Sequence, residues 1–367
     1  MKIITSKKYN FDIKEIGEKE WETLWPLFNY HNLQQSWGYG EAKCETSSWK
    51  FIHFLIKDNY DNPIAIVQVL YKSYGILGVL GRVNKGPLMN YGSNLITKDI
   101  YLEVIECLLK EIRKRNWRII FLAPDIEKES IKKSELKSIG LIFRKKSAWA
   151  SLKISLNYTE EVLMKNLKSK WRNLLRKAIK SNLIIEHWNQ ESYVLEELIK
   201  FYEDMQKEKK FTGISSDLIK SLSTKEGPSW AFNLYKATIK DKENKGRKLT
   251  VGMLLSIRHG DTETYTIGIT NKTGRLCNAN YLLLWNSILE SKRKGCRWFD
   301  LGGLNKNTPK GIAHFKKGTN GIPYELIGET YYVSILSYLG TKFLSIFSLI
   351  SSLILSKVRK SSLSKEL

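Results

Sequence analysis

The same order of hydrophobic patterns runs through this chain twice. From Trp49 to Tyr71 apolar residues fall in short β-type runs, broken at Asp58-Asn59-Tyr60-Asp61-Asn62-Pro63, whose Asn, Asp and Pro content marks a hairpin turn. A second extended region, Tyr74 to Met89, leads to a predicted helix near Thr97 to Lys114, with Ile100, Val104, Ile105, Leu108, Leu109 and Ile112 at helical spacing. The strand Trp117 to Leu122 follows. In the second half, Glu160 to Ser181 and Ser192 to Glu208 read as helices, and Ala231 to Ile239 and Leu249 to Ile257 as strands around the polar turn Lys240 to Lys248. Thr262 to Ile269 alternates as a further strand, then come a helix from Ala279 to Lys294 and the strand Arg297 to Leu301. The repeat is one of element order rather than of sequence. It predicts an α/β chain with mixed sheets in two similar domains, 1–150 and 151–330, joined near Ala150, with 331–367 as a C-terminal amphipathic helix returning to the first domain.

At 367 residues, with 42% hydrophobic and 26% charged, the chain is long enough for two cores and too mixed to be disordered. Sixty Lys and Arg against 37 Asp and Glu give a net charge of +23, which favours polyanionic partners: nucleic acid, nucleotide phosphates or anionic membrane. A base composition rich in Lys, Ile and Asn codons produces the same surplus with no functional gain, so charge alone leaves both readings open. Cys44, Cys107, Cys277 and Cys296 are widely separated and form no CxxC or Cys/His cluster, which predicts reduced thiols and no metal site. No apolar run of signal-peptide type follows Met1, and the expectation is a cytoplasmic protein.

Three stretches carry candidate chemistry. Leu33-Gln34-Gln35-Ser36-Trp37-Gly38-Tyr39-Gly40-Glu41-Ala42-Lys43 places Lys43 about two turns beyond Ser36 on a helix, with Trp37 and Tyr39 offering flat apolar surface. Its ammonium would neutralise a substrate phosphate, or is simply a solvated helix-end lysine. Lys170-Trp171-Arg172-Asn173-Leu174-Leu175-Arg176-Lys177-Ala178 sets Arg172 and Arg176 four residues apart on one face. Like charges there destabilise mildly unless an anion or a partner's acidic side chains lie between them. Gly295-Cys296-Arg297-Trp298-Phe299-Asp300-Leu301-Gly302-Gly303 ends a strand with a carboxylate before two glycines, a place for a general base or for a turn cap. It continues to Gly311-Ile312-Ala313-His314-Phe315-Lys316-Lys317-Gly318, in which a lone His314 is more often a packing residue than a proton shuttle.

In their order and separation these stretches resemble the Fem aminoacyl ligases, the FemABX family of tRNA-dependent enzymes that form peptidoglycan bridges. The resemblance implies a tandem fold of the GNAT (N-acyltransferase) type, whose element order is the one read here. It implies that Phe315 and Lys316 lie beside the reaction centre, near the aminoacyl ester and the 3′ end of the tRNA, and that Lys43 serves the nucleotide or lipid-linked muropeptide precursor. Arg82-Val83-Asn84-Lys85-Gly86-Pro87 resembles the family segment leading to a Gly-Pro turn, which puts Lys85 in the substrate groove. The expected catalytic set is Lys316, Phe315 and Asp300; the expected substrate contacts are Lys43, Trp37, Tyr39, Lys85, Arg172, Arg176, Gly302 and Gly303. Aminoacyl-tRNA is the implied co-substrate with no further cofactor, the peptidoglycan precursor the acceptor, and a monomer the expected state. The stretch Asn271 to Asn280, with its single glycine, lacks the pyrophosphate-gripping pattern of CoA-dependent relatives. A CoA-dependent N-acyltransferase of the same fold is the alternative.

The tail Tyr331 to Val358 is mainly apolar but interrupted by Lys342 and serines, and its continuous part, Phe343 to Leu355, is too short to span a bilayer of about 30 Å. Phe343, Ile346, Phe347, Ile350, Leu353 and Ile354 at helical spacing suit docking on the protein or on the inner membrane face, where Lys357, Arg359 and Lys360 would add attraction to anionic lipid.

Overall fold

The structure is a computed structural model that describes residues 10–334 apart from 76–77, 92–95, 147, 190–191 and 241–247. Its first half runs β1 (Asp12–Ile16), α1 (Glu18–Leu24), α2 (Trp37–Glu45), β2 (Lys50–Lys57), β3 (Pro63–Ser73), β4 (Val79–Val83) and β5 (Leu88–Met89). It continues with α3 (Lys98–Lys114), β6 (Ile119–Leu122), α4 (Lys133–Ser138) and β7 (Ile142–Phe143). The second half begins with β8 (Ala150–Ser155), α5 (Glu160–Asn166), α6 (Ser169–Ile179), β9 (Ile184–Asn189), α7 (Ser192–Lys209) and α8 (Ser216–Ser223). A meander follows, β10 (Trp230–Lys240), β11 (Lys248–His259) and β12 (Thr262–Thr270), then α9 (Lys272–Leu276) and α10 (Ala279–Arg293). The chain ends its described part with β13 (Trp298–Asp300), α11 (Lys310–Lys317), β14 (Ile322–Glu325) and β15 (Thr330–Val333).

The strands form two mixed sheets, ordered β1-β2-β3-β4-β6-β15-β7 with β5 beside β3, and β14-β8-β13-β12-β11-β10-β9. In each, an antiparallel meander meets one parallel pair, β4 with β6 and β12 with β13. This is the tandem GNAT-like arrangement that the element order predicts. The first sheet buries its apolar stripe under α3, whose inward face is the predicted Ile100, Val104, Ile105, Leu108, Leu109 and Ile112. Thr97 caps that helix, accepting from the Ile100 N–H. The second sheet is covered on one face by α5, α6 and α10, and on the other by α7 and α8.

The halves are hooked together by a reciprocal exchange of strands. β8, which follows β7 of the first sheet, inserts between β13 and β14 of the second. β15, which follows β14 of the second sheet, inserts between β6 and β7 of the first. The two crossing segments lie side by side, with Leu326 N–H donating to Trp149 O at 2.8 Å and Arg144 N–H to Glu329 O at 2.9 Å.

Two predictions for the elements are corrected. The helix read over Glu160 to Ser181 is two helices, because Leu167 and Lys168 are extended and the Lys168 N–H donates to Gly318 O instead of to its own helix. Residues 331–333, read as the start of the tail helix, belong to β15, where Tyr331 and Tyr332 face Phe121 and Ile120 in the ladder. Alternating strand residues there find a free position between two first-sheet strands, which outweighs local periodicity. The rest of the tail lies outside the described residues.

Candidate functional site

The parallel strands β12 and β13 pair from Thr262–Trp298 to Thr264–Asp300 and then part. β12 carries a bulge where it separates, Thr266 lying between residues registered with Leu255 and Ser256. Beyond Asp300 the chain turns at Gly302, whose φ of +67° suits glycine and whose added Cβ would stand 2.6 Å from Tyr265 O. Gly303 needs glycine less, since a Cβ there would meet Trp149 at an ordinary 3.7 Å.

Lys316, on the last turn of α11, turns inward to this parting. It is 6% exposed, its Nζ donates to Gly303 O at 2.9 Å, and it sits 5.3 Å from the centre of the Tyr265 ring. Burial pushes its ammonium down to about 8, with the Asp300 carboxylate opposing the shift. Phe315 points the other way, into a cluster with Trp171 at 5.9 Å and Tyr281 at 5.1 Å, so its role is to seat α11.

Asp300 accepts three hydrogen bonds. Its Oδ1 accepts from Ser151 Oγ at 2.6 Å and from the Gly302 N–H at 2.8 Å, and its Oδ2 from the Tyr324 hydroxyl at 2.5 Å. Burial acts to raise its carboxyl, but Lys85, Ser151, Tyr324 and Lys153 together hold it below the ordinary range. A carboxylate so engaged orients its neighbours and balances cations. The three bonds fit the turn-capping alternative for Asp300, and one lone-pair position on Oδ2 is left over.

The first half contributes to the same cluster. Lys85 lies just before the Gly86-Pro87 turn and is 8% exposed, with its Nζ 4.9 Å from the Trp149 ring centre and 3.5 Å from the Tyr324 hydroxyl. Burial lowers its ammonium pKa, while Asp300 and Asp125 oppose that. Asp125, beyond the end of β6, is raised by burial despite Lys85, Lys153 and a 3.3 Å contact from Asn32 Nδ2. The structure thus brings Lys316, Asp300, Gly302, Gly303 and Lys85 together at the junction of the halves.

The other expected contacts sit elsewhere. Ser36 caps α2, accepting from the Tyr39 N–H at 3.3 Å, and Lys43 on that helix is 8% exposed rather than solvated. Trp37 and Tyr39 are half-buried rather than open faces: Trp37 stacks on His53 at 4.2 Å, and Tyr39 packs with the core under α7 and α8. Arg172 and Arg176 differ as well. Arg172 is half-buried and turns back to Lys165 O at 2.9 Å, while Arg176 is exposed.

Sequence reasoning missed Tyr324, Ser151, Trp149, Tyr265 and Asp125. Asp125 had a signal, since it follows a strand of the first half much as Asp300 ends one of the second. Tyr324, Ser151 and Trp149 had none, because they arrive on the exchanged strands and crossings.

Residues 196–345 match the model of the FemAB family. No curated protein matches the sequence. Among solved structures, FemX superposes with a TM-score of 0.73 at 14% identity, covering 88% of this chain and 97% of FemX. A tandem GNAT protein from the clavulanic acid biosynthesis pathway gives 0.53 at 8% identity, covering 90% of this chain and all of that one. At such identities the likeness is one of fold. Over residues 196–345, then, the chain is similar to the FemAB family, and its overall fold is similar to that of FemX.

Proposed function

We propose that this protein transfers an aminoacyl group from aminoacyl-tRNA to an amine of a peptidoglycan precursor, and that the reaction takes place where β12 and β13 part. The observation that carries the reading is the buried Lys316 ammonium at that parting, within the stretch that matches the FemAB family. In the reaction the acceptor amine attacks the ester carbonyl carbon, the tetrahedral intermediate carries an oxyanion, and the bond to the ribose oxygen breaks as that oxygen takes up the amine's proton. An aminoacyl ester is already activated, so no side-chain nucleophile is required and positioning does most of the work. A fixed ammonium in a site of low dielectric stabilises the oxyanion, and a value of about 8 keeps Lys316 mainly protonated at neutral pH. Asp300 holds the Gly302 turn and the Tyr324 hydroxyl, and so the floor of the site.

A CoA donor is served less well. The Gly274 N–H at the start of α9 is taken by Asn271 Oδ1 at 2.8 Å, and the backbone there is pressed on Val251 O. A free run of N–H groups for a pyrophosphate is what a CoA site would use.

The test is single-turnover transfer from charged tRNA to a muropeptide nucleotide or lipid precursor. Lys316→Met should slow it by about 100-fold, on the order of 3 kcal/mol, while Lys317→Met has a far smaller effect. Equal rates for the two variants would reject the assignment.

A further inference from the structure

The basic residues of this protein are not distributed alike. Elsewhere basic side chains are interspersed with carboxylates, and several are paired: Lys98 of α3 with Glu135, Arg115 beyond its end with Glu111, Lys220 of α8 with Glu196 and Lys236 of β10 with Glu197. A compositional bias toward lysine accounts for such a surface. It does not account for three other segments: residues 162–185 hold seven Lys and Arg, 264–289 hold two and 301–324 hold four, with no Asp or Glu except the buried Asp300 just before the last. Among the described residues, no basic side chain of α6, α9 or α11 forms an ion pair.

α6 and α11 are tied together, and α9 adjoins them through α10. The first turn of α6 is tied to the last turn of α11 by the Lys168 N–H to Gly318 O bond at 3.0 Å and by Trp171 Nε1 to Phe315 O, also 3.0 Å. The Trp171 ring lies 5.0 Å from Tyr281 at the start of α10, directly after α9, and Tyr281 lies 5.1 Å from Phe315. Phe315 is the neighbour of Lys316, so the outward basic face and the inward ammonium are two sides of one helix turn.

We propose that the α6–α9–α11 face docks the acceptor stem of the tRNA, guiding its 3′ end to the parting of β12 and β13. The proposal rests on the transferase reading of Lys316. Unpaired cations on a fixed frame raise the free energy of the empty protein slightly, and a ribose-phosphate backbone relieves this while releasing condensed counterions. Duplex RNA is held mainly through its backbone and shape, so a face of cations without base-reading pockets suits it. Lys170, Lys177 and Lys180 are exposed and fall on one side of α6. An anionic membrane is the competing occupant, because exposed Ile179, Leu276 and Ile312 stand on the same elements. They are single aliphatics, one per helix, and make no continuous apolar band of the kind an interfacial helix buries.

The experiment compares the triple variant Lys170→Gln, Lys177→Gln, Lys180→Gln with a charge-matched control on the first half, Lys110→Gln, Lys114→Gln, Lys137→Gln. Each is assayed with charged tRNA and with an aminoacylated CCA trinucleotide that has no stem. The expected result is a fall in kcat/KM of about tenfold on charged tRNA for the α6 triple alone, with a salt slope shallower by about 2 and no change on the trinucleotide. Equal loss on both donors, or no loss on either, overturns the docking assignment while leaving the transferase reading intact. If the unmodified protein transfers from neither donor, that reading fails, and the face is judged on uncharged acceptor-stem RNA by fluorescence anisotropy, where undiminished affinity of the α6 triple overturns it. Loss of sedimentation with phosphatidylglycerol vesicles, together with unchanged RNA affinity, assigns the face to membrane and also overturns it.

Discussion

The two parallel-strand pairs of this molecule are built alike and finished differently. In the first half the ladder between β4 and β6 continues past its strands, with Ala123 N–H donating to Val83 O at 2.9 Å and Gly86 N–H to Ala123 O at 3.2 Å. On the other side of β4, Gln35 bridges it to β3: its Nε2 donates to Asn84 O at 2.7 Å, and its Oε1 accepts from the Gln68 N–H at 2.8 Å. In the second half no such continuation joins β12 and β13 among the described residues. The strands part at Thr264 and Asp300, and a buried ammonium looks into the gap. One frame used twice has become a closed brace in one copy and a candidate reaction site in the other. The difference lies in a few side chains at the strand ends, not in the topology.

The aspartates at the two ends sharpen this contrast most. Asp300→Ala removes the acceptor for Ser151, Gly302 and Tyr324 and leaves Lys85 buried with less compensation, so a loss of about 3–5 kcal/mol in urea unfolding is expected. Asp125, raised by burial and with only a 3.3 Å contact from Asn32, should cost about 1–2 kcal/mol on the same change. Equal losses would break the comparison.

Next in size is Lys316→Met, which should stabilise the protein while abolishing most transfer. The folded-state value of about 8 lies below that of an unfolded lysine, about 10.4, so the folded protein binds fewer protons between these limits. The penalty for burying the charge is complete below pH 8 and relieved as pH rises toward 10.4. Met should therefore gain on the order of 2–3 kcal/mol at pH 7, with the advantage shrinking through that window. A variant less stable than its parent at pH 7 would show that the Gly303 carbonyl bond outweighs desolvation.

Gln35→Ala tests the bridge. Loss of about 1–3 kcal/mol is expected from leaving the Gln68 N–H and Asn84 carbonyl without their partner, with the single-turnover rate unchanged. A changed rate would mean that the closed brace also shapes the open site. The smallest effect separates the two glycines: Gly303→Ala should alter melting by less than about 0.5 kcal/mol, whereas Gly302→Ala, forced to φ +67° against Tyr265 O, should be clearly destabilised.

Long periodic elements were readable from sequence because their signal is local. α3 and its six inward residues are the clearest case, and the β10-β11-β12 meander another. The break between α5 and α6 was not readable, since it depends on Gly318, about 150 residues away, accepting from Lys168. The site divides on the same principle. Lys316, Asp300 and Gly302 stand in a motif within one segment, while Ser151 and Tyr324 meet Asp300 only through strands placed by the opposite sheet. The segment before the Gly-Pro turn points Lys85 to a groove, and the structure adds the Trp149 and Tyr324 rings that hold it.

The exchanged strand β15 carries a consequence for how the protein is born. Thr330 meets Leu122 across 208 residues, and β7 reaches the rest of its sheet only through this strand. On a ribosome adding about 5–20 residues per second, the first half emerges with a gap beside β6 that stays open for roughly 10–40 seconds. Through that interval β6 presents an unpaired apolar edge, the kind of surface that recruits chaperones or neighbouring nascent chains. Crowded polysomes should therefore hinder maturation of this protein more than its finished stability suggests.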